Sequence, residues 1–189
     1  MKVTEIKGDL IKLAQQGEFD VIVHGCNCYC TQKAGLAPQM VKAFDTDKLP
    51  KESKPYKGDI NKLGTIDWGV VPTNEDFKTL LYNTTKIIAS SFYKVLKKYD
   101  TTNIIQGLIV VNAYTQYGFG KNHDNGTKSP VDYDAITMVM RKMNHEFKGM
   151  HIGLPRLGSG LANGNWNKIK GIILRELTDC DITLVEYKK

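Results

Sequence analysis

The sequence lacks any long apolar run. No stretch of about eighteen apolar residues occurs, so no segment predicts a membrane-spanning helix. The first residues, "MKVTEIKGDL", have neither the apolar centre of a signal peptide nor a small-residue cleavage site. We therefore expect a soluble, cytoplasmic protein that acts away from membranes.

Cysteine is scarce and unevenly spaced. Three of the four cysteines, Cys26, Cys28 and Cys30, lie too close together in sequence to connect distant elements, and Cys180 stands alone. The spacing C-x-C-x-C lacks the second cysteine pair of a zinc site, and the C-x-x-C of a thioredoxin-like centre is absent. We predict no metal and no disulfide framework, with the small thiols filling space at the end of a strand.

Two nucleotide-binding signatures are missing as well. The chain contains no G-x-x-x-x-G-K-[ST] loop, and no G-x-G-x-x-G follows its first predicted strand. These absences exclude a P-loop and the usual dinucleotide fingerprint, and we predict no cofactor. Basic and aromatic residues also fail to interleave as they do in an RNA-reading sheet, so we expect no specific nucleic-acid partner.

The composition describes one globular domain. The chain has 189 residues, of which 41% are hydrophobic, and this predicts a single domain over residues 1–189 with an ample core. The net charge of +6 comes from scattered lysines, which favour solubility and the steering of an anionic partner. We expect a monomer.

Strand and helix patterns alternate along the chain. A helix with Ser129 as N-cap and Pro130 at its first position is predicted from "SPVDYDAITMVMRKMNHEF", another from "NWNKIKGIILREL", and a third from about residue 86. Apolar β-branched segments predict strands at 3–6, 21–25, 66–71, 105–112, 152–155 and 182–187. The alternation indicates a mostly parallel sheet covered by helices on both faces.

Two glycine-containing loops each follow a predicted strand and precede a helix. They are "TQKAGLA" after the second strand and "LPRLGSGLANGNW" after the fifth. Backbone N–H groups at a helix N-terminus bind anions such as a pyrophosphate, and ligands of open α/β sheets bind at the carboxyl edge. The alternative is that these glycines only allow the chain to turn tightly.

Together, "KGDLIKL", "DVIVHGCN" with "KAGLA", "GLPRLGSGLANGNW" and "ITLVEY" resemble, in order and spacing, the macro domain, an ADP-ribose-binding fold. The resemblance runs from Lys2 to Tyr187. Within the family, the chain is most similar to the phage and microbial branch of ADP-ribose 1''-phosphate phosphatases. It implies a three-layer α/β/α fold with a mixed, mostly parallel central sheet. For a phage-encoded chain, it also implies the host cytoplasm.

The resemblance implies a ligand site, residue by residue. Asp9 would accept a hydrogen bond from the adenine amino group, with Leu10 beside it. Tyr187 would lie against adenine, and Asn27 would contact the distal ribose. The two loops would hold the diphosphate with Ala34, Gly35 and Leu36 from the first and Leu157, Gly158, Ser159, Gly160, Leu161 and Ala162 from the second. Simpler roles remain open: a helix N-cap for Asp9, a turn for Asn27, and an edge-strand aromatic for Tyr187.

The segment "NAYTQYGFG" supplies aromatic candidates for the wall of the distal ribose pocket. These are Tyr114, Tyr117 and Phe119, with Gln116 beside them. We place Tyr117 in the ligand site, and we expect at least one of these four residues to pack in the core instead.

Three positions depart from the family pattern. His24 stands where many macro domains have asparagine, Lys33 replaces a glycine of the first loop, and Ala162 replaces an acidic residue found in related protein-deribosylating enzymes. We take Asn27, Lys33 and His24 as candidate catalytic residues. The alternatives are a structural histidine satisfied by a backbone partner and a solvated lysine.

The function predicted from the resemblance is hydrolysis of ADP-ribose 1''-phosphate to ADP-ribose and phosphate. We expect slow turnover, because the sequence shows no strong general base. Two alternatives remain: a reader that binds ADP-ribose without chemistry, and a hydrolase that removes ADP-ribose from proteins. The ligand is thus ADP-ribose, its 1''-phosphate, or an ADP-ribosylated protein.

Overall fold

Six strands form one sheet in the structure, a computed structural model that describes residues 1–53, 57–72, 107–120 and 130–187. The strands are β1 Val3–Gly8, β2 Val21–Asn27, β3 Ile66–Pro72, β4 Gly107–Gln116, β5 His151–Pro155 and β6 Asp181–Tyr187. Their order across the sheet is β1-β6-β5-β2-β4-β3.

Five of the six strands run in the same direction. Each neighbouring pair from β1 to β4 is parallel, and only β3 pairs antiparallel, with β4. The carboxyl ends of β1, β6, β5, β2 and β4 therefore meet at one edge of the sheet. The predicted mixed, mostly parallel sheet is confirmed.

The helices cover both faces of this sheet. α1 (Leu10–Gln15) and α2 (Ala37–Phe44) lie on one face, where Leu10, Ile22, Met40 and Val110 form a buried cluster. α3 (Tyr133–Glu146) and α4 (Trp166–Glu176) lie on the other. Their cluster includes the predicted helix face Ile136, Met140, Met143 and Phe147, all fully buried. Each such side chain contributes roughly 1.5–3 kcal/mol of transfer free energy, and the predicted three layers are confirmed.

The strands extend further toward the site edge than the apolar pattern predicted. β4 continues to Gln116 because Asn112 and Thr115, although polar, are buried within the sheet. β2 continues to Asn27, with an irregularity in its pairing after Cys26. The predicted start of β4 at residues 105 and 106 and the helix predicted from about residue 86 lie outside the described residues.

The predicted start of α3 was wrong. Its N-cap is Asp132, whose Oδ1 accepts the amide of Ala135 at 2.9 Å, and the first helical residue is Tyr133. Pro130 precedes the helix, since Val131 bridges to Gln116 of β4. An aspartate caps a helix well, and here its oxygen reaches an amide that would otherwise lack an acceptor. Ser129 lies outside the described residues.

Among the parts of the chain that the structure describes, no helix has the length and apolar character required to cross a bilayer.

Candidate functional site

The predicted ligand residues gather at the carboxyl edge of the parallel strands. Asp9 follows β1, Asn27 ends β2, Tyr117 follows β4, and Tyr187 ends β6. The second glycine loop follows β5 at this same edge. Open α/β sheets bind ligands here, because the connections to the following helices leave crevices beyond the strand ends.

The first glycine loop presents a row of backbone amides. Lys33, Ala34 and Gly35 are exposed, and Gly35 adopts a left-handed conformation with φ of 67°. Within the described ranges, no protein group accepts the amides from Lys33 to Leu36. α2 begins directly after them, and its N-cap Leu36 provides no side-chain hydrogen bond. The positive end of α2 and these amides are donors of the kind that bind anions.

The segment before this row is held by Asn27. Its Nδ2 donates to the carbonyl of Thr31 at 2.9 Å, and its Oδ1 accepts the amide of Thr31 at 3.2 Å. The carbonyl of Asn27 also accepts the amide of Cys30, whose φ is 55°. Asn27 therefore has the turn-forming role considered from the sequence, and its 7% exposure leaves little of its side chain for a ligand.

The second glycine loop is built on two buried anchors. Leu157 and Ala162 are 3% and 5% exposed, whereas Leu161 between them is 73% exposed. Gly158 has φ of 71°, and its carbonyl accepts the amide of Gly164 at 2.9 Å. Residues other than glycine are strained at such a φ. The loop is therefore a preformed tight turn.

The amides of this second loop are also available. In the described parts of the chain, those of Gly158, Gly160, Leu161 and Ala162 have no protein acceptor. Ser159 is the exception, because its amide and hydroxyl both donate to the carbonyl of Arg156. A Cβ added to Gly160 would meet no atom within 4 Å, so this residue borders open space.

The two loops touch each other. A Cβ at Gly35 would lie 3.3 Å from Cδ1 of Leu161. Two rows of amides without protein acceptors thus lie on neighbouring loops, each row at the beginning of a connection to a helix. We call the space between these two loops the cleft. Such an arrangement can surround an anion from two sides without any charged side chain.

Asp9 and Tyr187 lie together at the β1 and β6 end of the edge. Tyr187 is in register with Gly8, the neighbour of Asp9, and is 62% exposed. Asp9 is the N-cap of α1, with Oδ1 accepting the amides of Ile11 and Lys12 at 3.0 and 3.2 Å. Its second oxygen is still able to accept a further donor. Leu10 is buried beneath it.

Aromatic residues gather at the opposite, β4 end. The hydroxyl of Tyr117 donates to the carbonyl of Gly58 at 2.9 Å, and its ring packs edge-on against Tyr29, with centroids 5.6 Å apart. Tyr29 also packs edge-on against the exposed ring of Phe119. Tyr114 turns inward instead and is 1% exposed, so core packing claims one aromatic, as predicted. Sequence reasoning missed Tyr29, which carried no signal beyond its place between two cysteines.

His24 is enclosed in the sheet. It is 1% exposed, and its Nε2 lies 2.7 Å from Oδ1 of Asn112. Burial lowers the pKa of His24 to about 4, which the hydrogen bond to Asn112 only partly offsets, so the ring is neutral at physiological pH. This placement favours the structural alternative over proton transfer to a ligand, and the partner is a side chain rather than backbone.

The three clustered thiols are interior groups. Cys26 and Cys28 are buried, and Cys30 is half-buried. Burial raises the pKa of the Cys28 thiol to about 11 and raises that of Cys26 still more, so both stay protonated at neutral pH. Protonated thiols are poor nucleophiles and metal ligands. Over the described ranges, no three His, Cys, Asp or Glu side chains are grouped closely enough to hold a metal ion.

The other two departures from the family pattern differ in exposure. Lys33 is exposed at the tip of the first loop, beside the amide row. Ala162 is buried, and its carbonyl accepts the amide of Val131 at 3.4 Å. Lys33 is therefore open to solvent next to the amide row, whereas the side chain of Ala162 offers no acid or base.

A cavity of about 130 Å³ lies on the α4 side of β1 and β6, beside the cleft rather than between the loops. Arg156 and Trp166 border it, together with Glu5, Lys7 and Glu186. Arg156 forms an ion pair with Glu186 at 3.1 Å and lies 5.7 Å from the centre of the Trp166 ring. These half-exposed contacts brace the start of the second loop.

No protein-family model matches the chain. A relative from enterobacteria phage T4, an uncharacterized 17.5 kDa protein of the tk-vs intergenic region, is 30% identical over 196 residues. That alignment covers the whole of this chain and 98% of the phage protein.

Solved macro domains share the fold. The macrodomain of Thermus aquaticus DarG is 15% identical, with a TM-score of 0.58 over 99% of this chain and 98% of that one. Thermosipho africanus DarTG in complex with ADP-ribose is 14% identical, with a TM-score of 0.62 over 99% of this chain and 41% of that one. The chain therefore belongs to the same family as the phage T4 protein, and its fold is that of a macro domain.

Proposed function

We propose that the chain binds ADP-ribose in the cleft between its two glycine loops. The observation that carries this proposal is the contact of Leu161 with Gly35, which brings together two rows of amides without protein acceptors. The diphosphate is the part of ADP-ribose that such donors recognise. The ADP-ribose held by the similarly folded DarTG supports the same ligand here.

The order of the strands supports one orientation of the ligand. Along the edge, Asp9 and Tyr187 come first on β1 and β6, the second loop follows on β5, the first loop on β2, and Tyr117 on β4. The row covers four interstrand spacings, roughly 19 Å. Adenine would lie against Tyr187 and donate to Asp9, the diphosphate would bind the loops, and the distal ribose would approach Tyr117 and Asn27.

The finer part of the proposal is hydrolysis of ADP-ribose 1''-phosphate. Water attacks the terminal phosphorus, the bond from phosphorus to the 1'' oxygen breaks, and ADP-ribose and inorganic phosphate leave. Lys33 and the first-loop amides would stabilise the charge on the transferred phosphoryl group. Asn27 would hold the distal ribose indirectly, through the loop that it braces. We give His24 no proton-transfer role, because its ring is buried and bonded to Asn112.

A titration and two turnover assays test this function. Calorimetry with ADP-ribose, with AMP and ribose 5-phosphate as part-ligand controls, measures binding. Release of inorganic phosphate from ADP-ribose 1''-phosphate, and release of ADP-ribose from an ADP-ribosylated protein, separate the two hydrolase functions. We expect binding and phosphate release. Binding without any release would leave a reader, and absence of binding would refute the proposal.

A further inference from the structure

Four buried polar side chains form a continuous network below the first glycine loop. Gln32, Thr46, Asn112 and His24 are 9%, 0%, 0% and 1% exposed. Thr46 Oγ1 donates to Gln32 Oε1 at 2.6 Å, and Gln32 Nε2 donates to the Thr46 carbonyl at 3.2 Å. Asn112 Nδ2 donates to the same carbonyl at 2.8 Å, and Asn112 Oδ1 lies 2.7 Å from His24 Nε2.

The directions of these hydrogen bonds follow from one atom. The carbonyl oxygen of Thr46 can only accept, and it receives the side-chain amides of both Gln32 and Asn112. Asn112 therefore turns its oxygen toward His24, and Nε2 of His24 must carry the hydrogen. The chain of bonds thus has a single consistent arrangement from the loop to the sheet.

The network joins both ends of the α2 segment to the centre of the sheet. Gln32 stands directly before the amide row of the first loop, and Thr46 follows the C-cap of α2, Asp45. Asn112 and His24 lie side by side on β4 and β2. On the other side of Gln32, Asn27 holds Thr31. The segment from Lys33 to Leu36 therefore lies between Gln32, which is hydrogen-bonded to Thr46, and the first turn of α2.

We propose that Gln32, paired with Thr46, is a positioning residue that holds the first-loop amides in their anion-binding arrangement. The proposal rests on the function proposed above. Ile22 and Val110 lie on the same face of β2 and β4 as His24 and Asn112, and they form an apolar cluster with Met40 of α2. Apolar side chains at positions 32 and 46 would therefore suit this side of the sheet. A matched polar pair fixes one conformation, because any other leaves a buried group unsatisfied. A loop that is already ordered without ligand loses less conformational entropy on binding, so the ligand binds more tightly.

Three substitutions separate positioning from stability. Gln32→Met and Thr46→Val each leave one buried polar group without its partner and should lower the melting temperature. Combining them removes both groups and should recover most of that loss. Thr46→Ser keeps the hydroxyl and is the conservative control. We expect ADP-ribose to bind about tenfold more weakly to the double variant than to the parent or to Thr46→Ser.

Backbone ¹⁵N relaxation of the ligand-free protein gives a readout that does not need ADP-ribose. The amides of Lys33, Ala34 and Gly35 should have order parameters of about 0.85 in the parent and below about 0.6 in the double variant. The order parameters of the Gly158 and Gly160 amides should be the same in both proteins. Unchanged order in the double variant, or a parent loop that is already mobile, would overturn the inference. So would a mobile loop that binds ADP-ribose with the affinity of the parent.

The two proposals fail in different ways. A parent protein that does not bind ADP-ribose refutes the proposed ligand. A loss of order in the double variant that is confined to the first loop would still show that the Gln32–Thr46 pair, here called the tether, holds that loop. A parent that binds, with equal affinity in the double variant, refutes the tether and leaves the ligand proposal standing.

Discussion

Gly35 and Leu161 face each other across the cleft, so close that a Cβ on Gly35 would lie 3.3 Å from Leu161 Cδ1. Gly35 is in the left-handed region, and Leu161 is 73% exposed although it is a large apolar residue. An exposed leucine usually needs no explanation. This one lies against Gly35 although the two turns are far apart in sequence, and the ligand site proposed above depends on that close approach.

Gly160→Val should abolish binding while leaving the fold intact. A Cβ added at Gly160 meets no atom within 4 Å, so we expect a change in unfolding free energy within about 0.5 kcal/mol. The same side chain would keep a diphosphate away from the amides, and ADP-ribose affinity should fall at least tenfold, about 1.4 kcal/mol. Calorimetry and urea denaturation measure the two effects.

Gly158→Val is the matched contrast. Its Cβ would approach Ile169 and Val131, each at 3.2 Å, and its φ of 71° is strongly unfavourable for a β-branched residue, so this variant should unfold at clearly lower denaturant concentration. If Gly160→Val bound ADP-ribose as tightly as the parent, the role given to the second loop would be wrong.

Leu161→Ala should weaken binding several-fold without changing stability. The side chain is too exposed to contribute much to folding, but its loss removes the contact that closes the loops toward each other. Ile60→Ala, which truncates another exposed aliphatic residue at 58% exposure, is the control. Equal ADP-ribose affinity of both variants and the parent would show that the loop contact does not matter.

His24 should make folding stability depend on pH. Its folded pKa of about 4 lies below the ordinary 6.5, so the unfolded chain binds the proton more readily between these values. Stability from this residue is complete above about pH 6.5 and is lost as the pH falls toward 4. From pH 7.5 to pH 5 the loss is about 2 kcal/mol. Urea denaturation at pH 7.5 and at pH 5 measures this loss of unfolding free energy. The loss should be smaller in His24→Asn, and an equal loss in that variant would contradict a buried neutral ring.

Lys33→Ala should affect turnover alone. Lys33 is exposed at the loop tip, so its loss should leave the melting temperature unchanged. If the cation faces the transferred phosphoryl group, kcat for ADP-ribose 1''-phosphate should fall about tenfold while ADP-ribose affinity changes little. A kcat equal to that of the parent would identify Lys33 as a solvated side chain.

Asn27→Ala should behave differently from Lys33→Ala. It removes two hydrogen bonds to Thr31, and we expect it to cost roughly 1–2 kcal/mol of stability and to weaken binding together with turnover. A variant of normal stability and affinity that fails only in turnover would instead indicate that Asn27 acts directly on the substrate.

Much of the architecture was predictable because its signals are local. The β-branched runs at 21–23 and 109–111 favour strands, and the face Ile136, Met140, Met143 and Phe147 specifies which side of α3 is buried. Glycines between a strand and a helix identified both loops. The start of α3 was missed because Ser129 and Asp132 are both good caps by composition, and only the bridge from Val131 to Gln116 decides between them.

The sequence by itself determined the elements, the two turns that need glycine, and the residues available at the strand ends. Only the tertiary structure decided which of them meet. The pairing of Gln32 with Thr46, of His24 with Asn112, and of Leu161 with Gly35 joins residues with no shared local pattern. Periodicity describes how a segment faces the core, whereas these contacts depend on strand order and on the pleat of the sheet, which the whole chain settles at once.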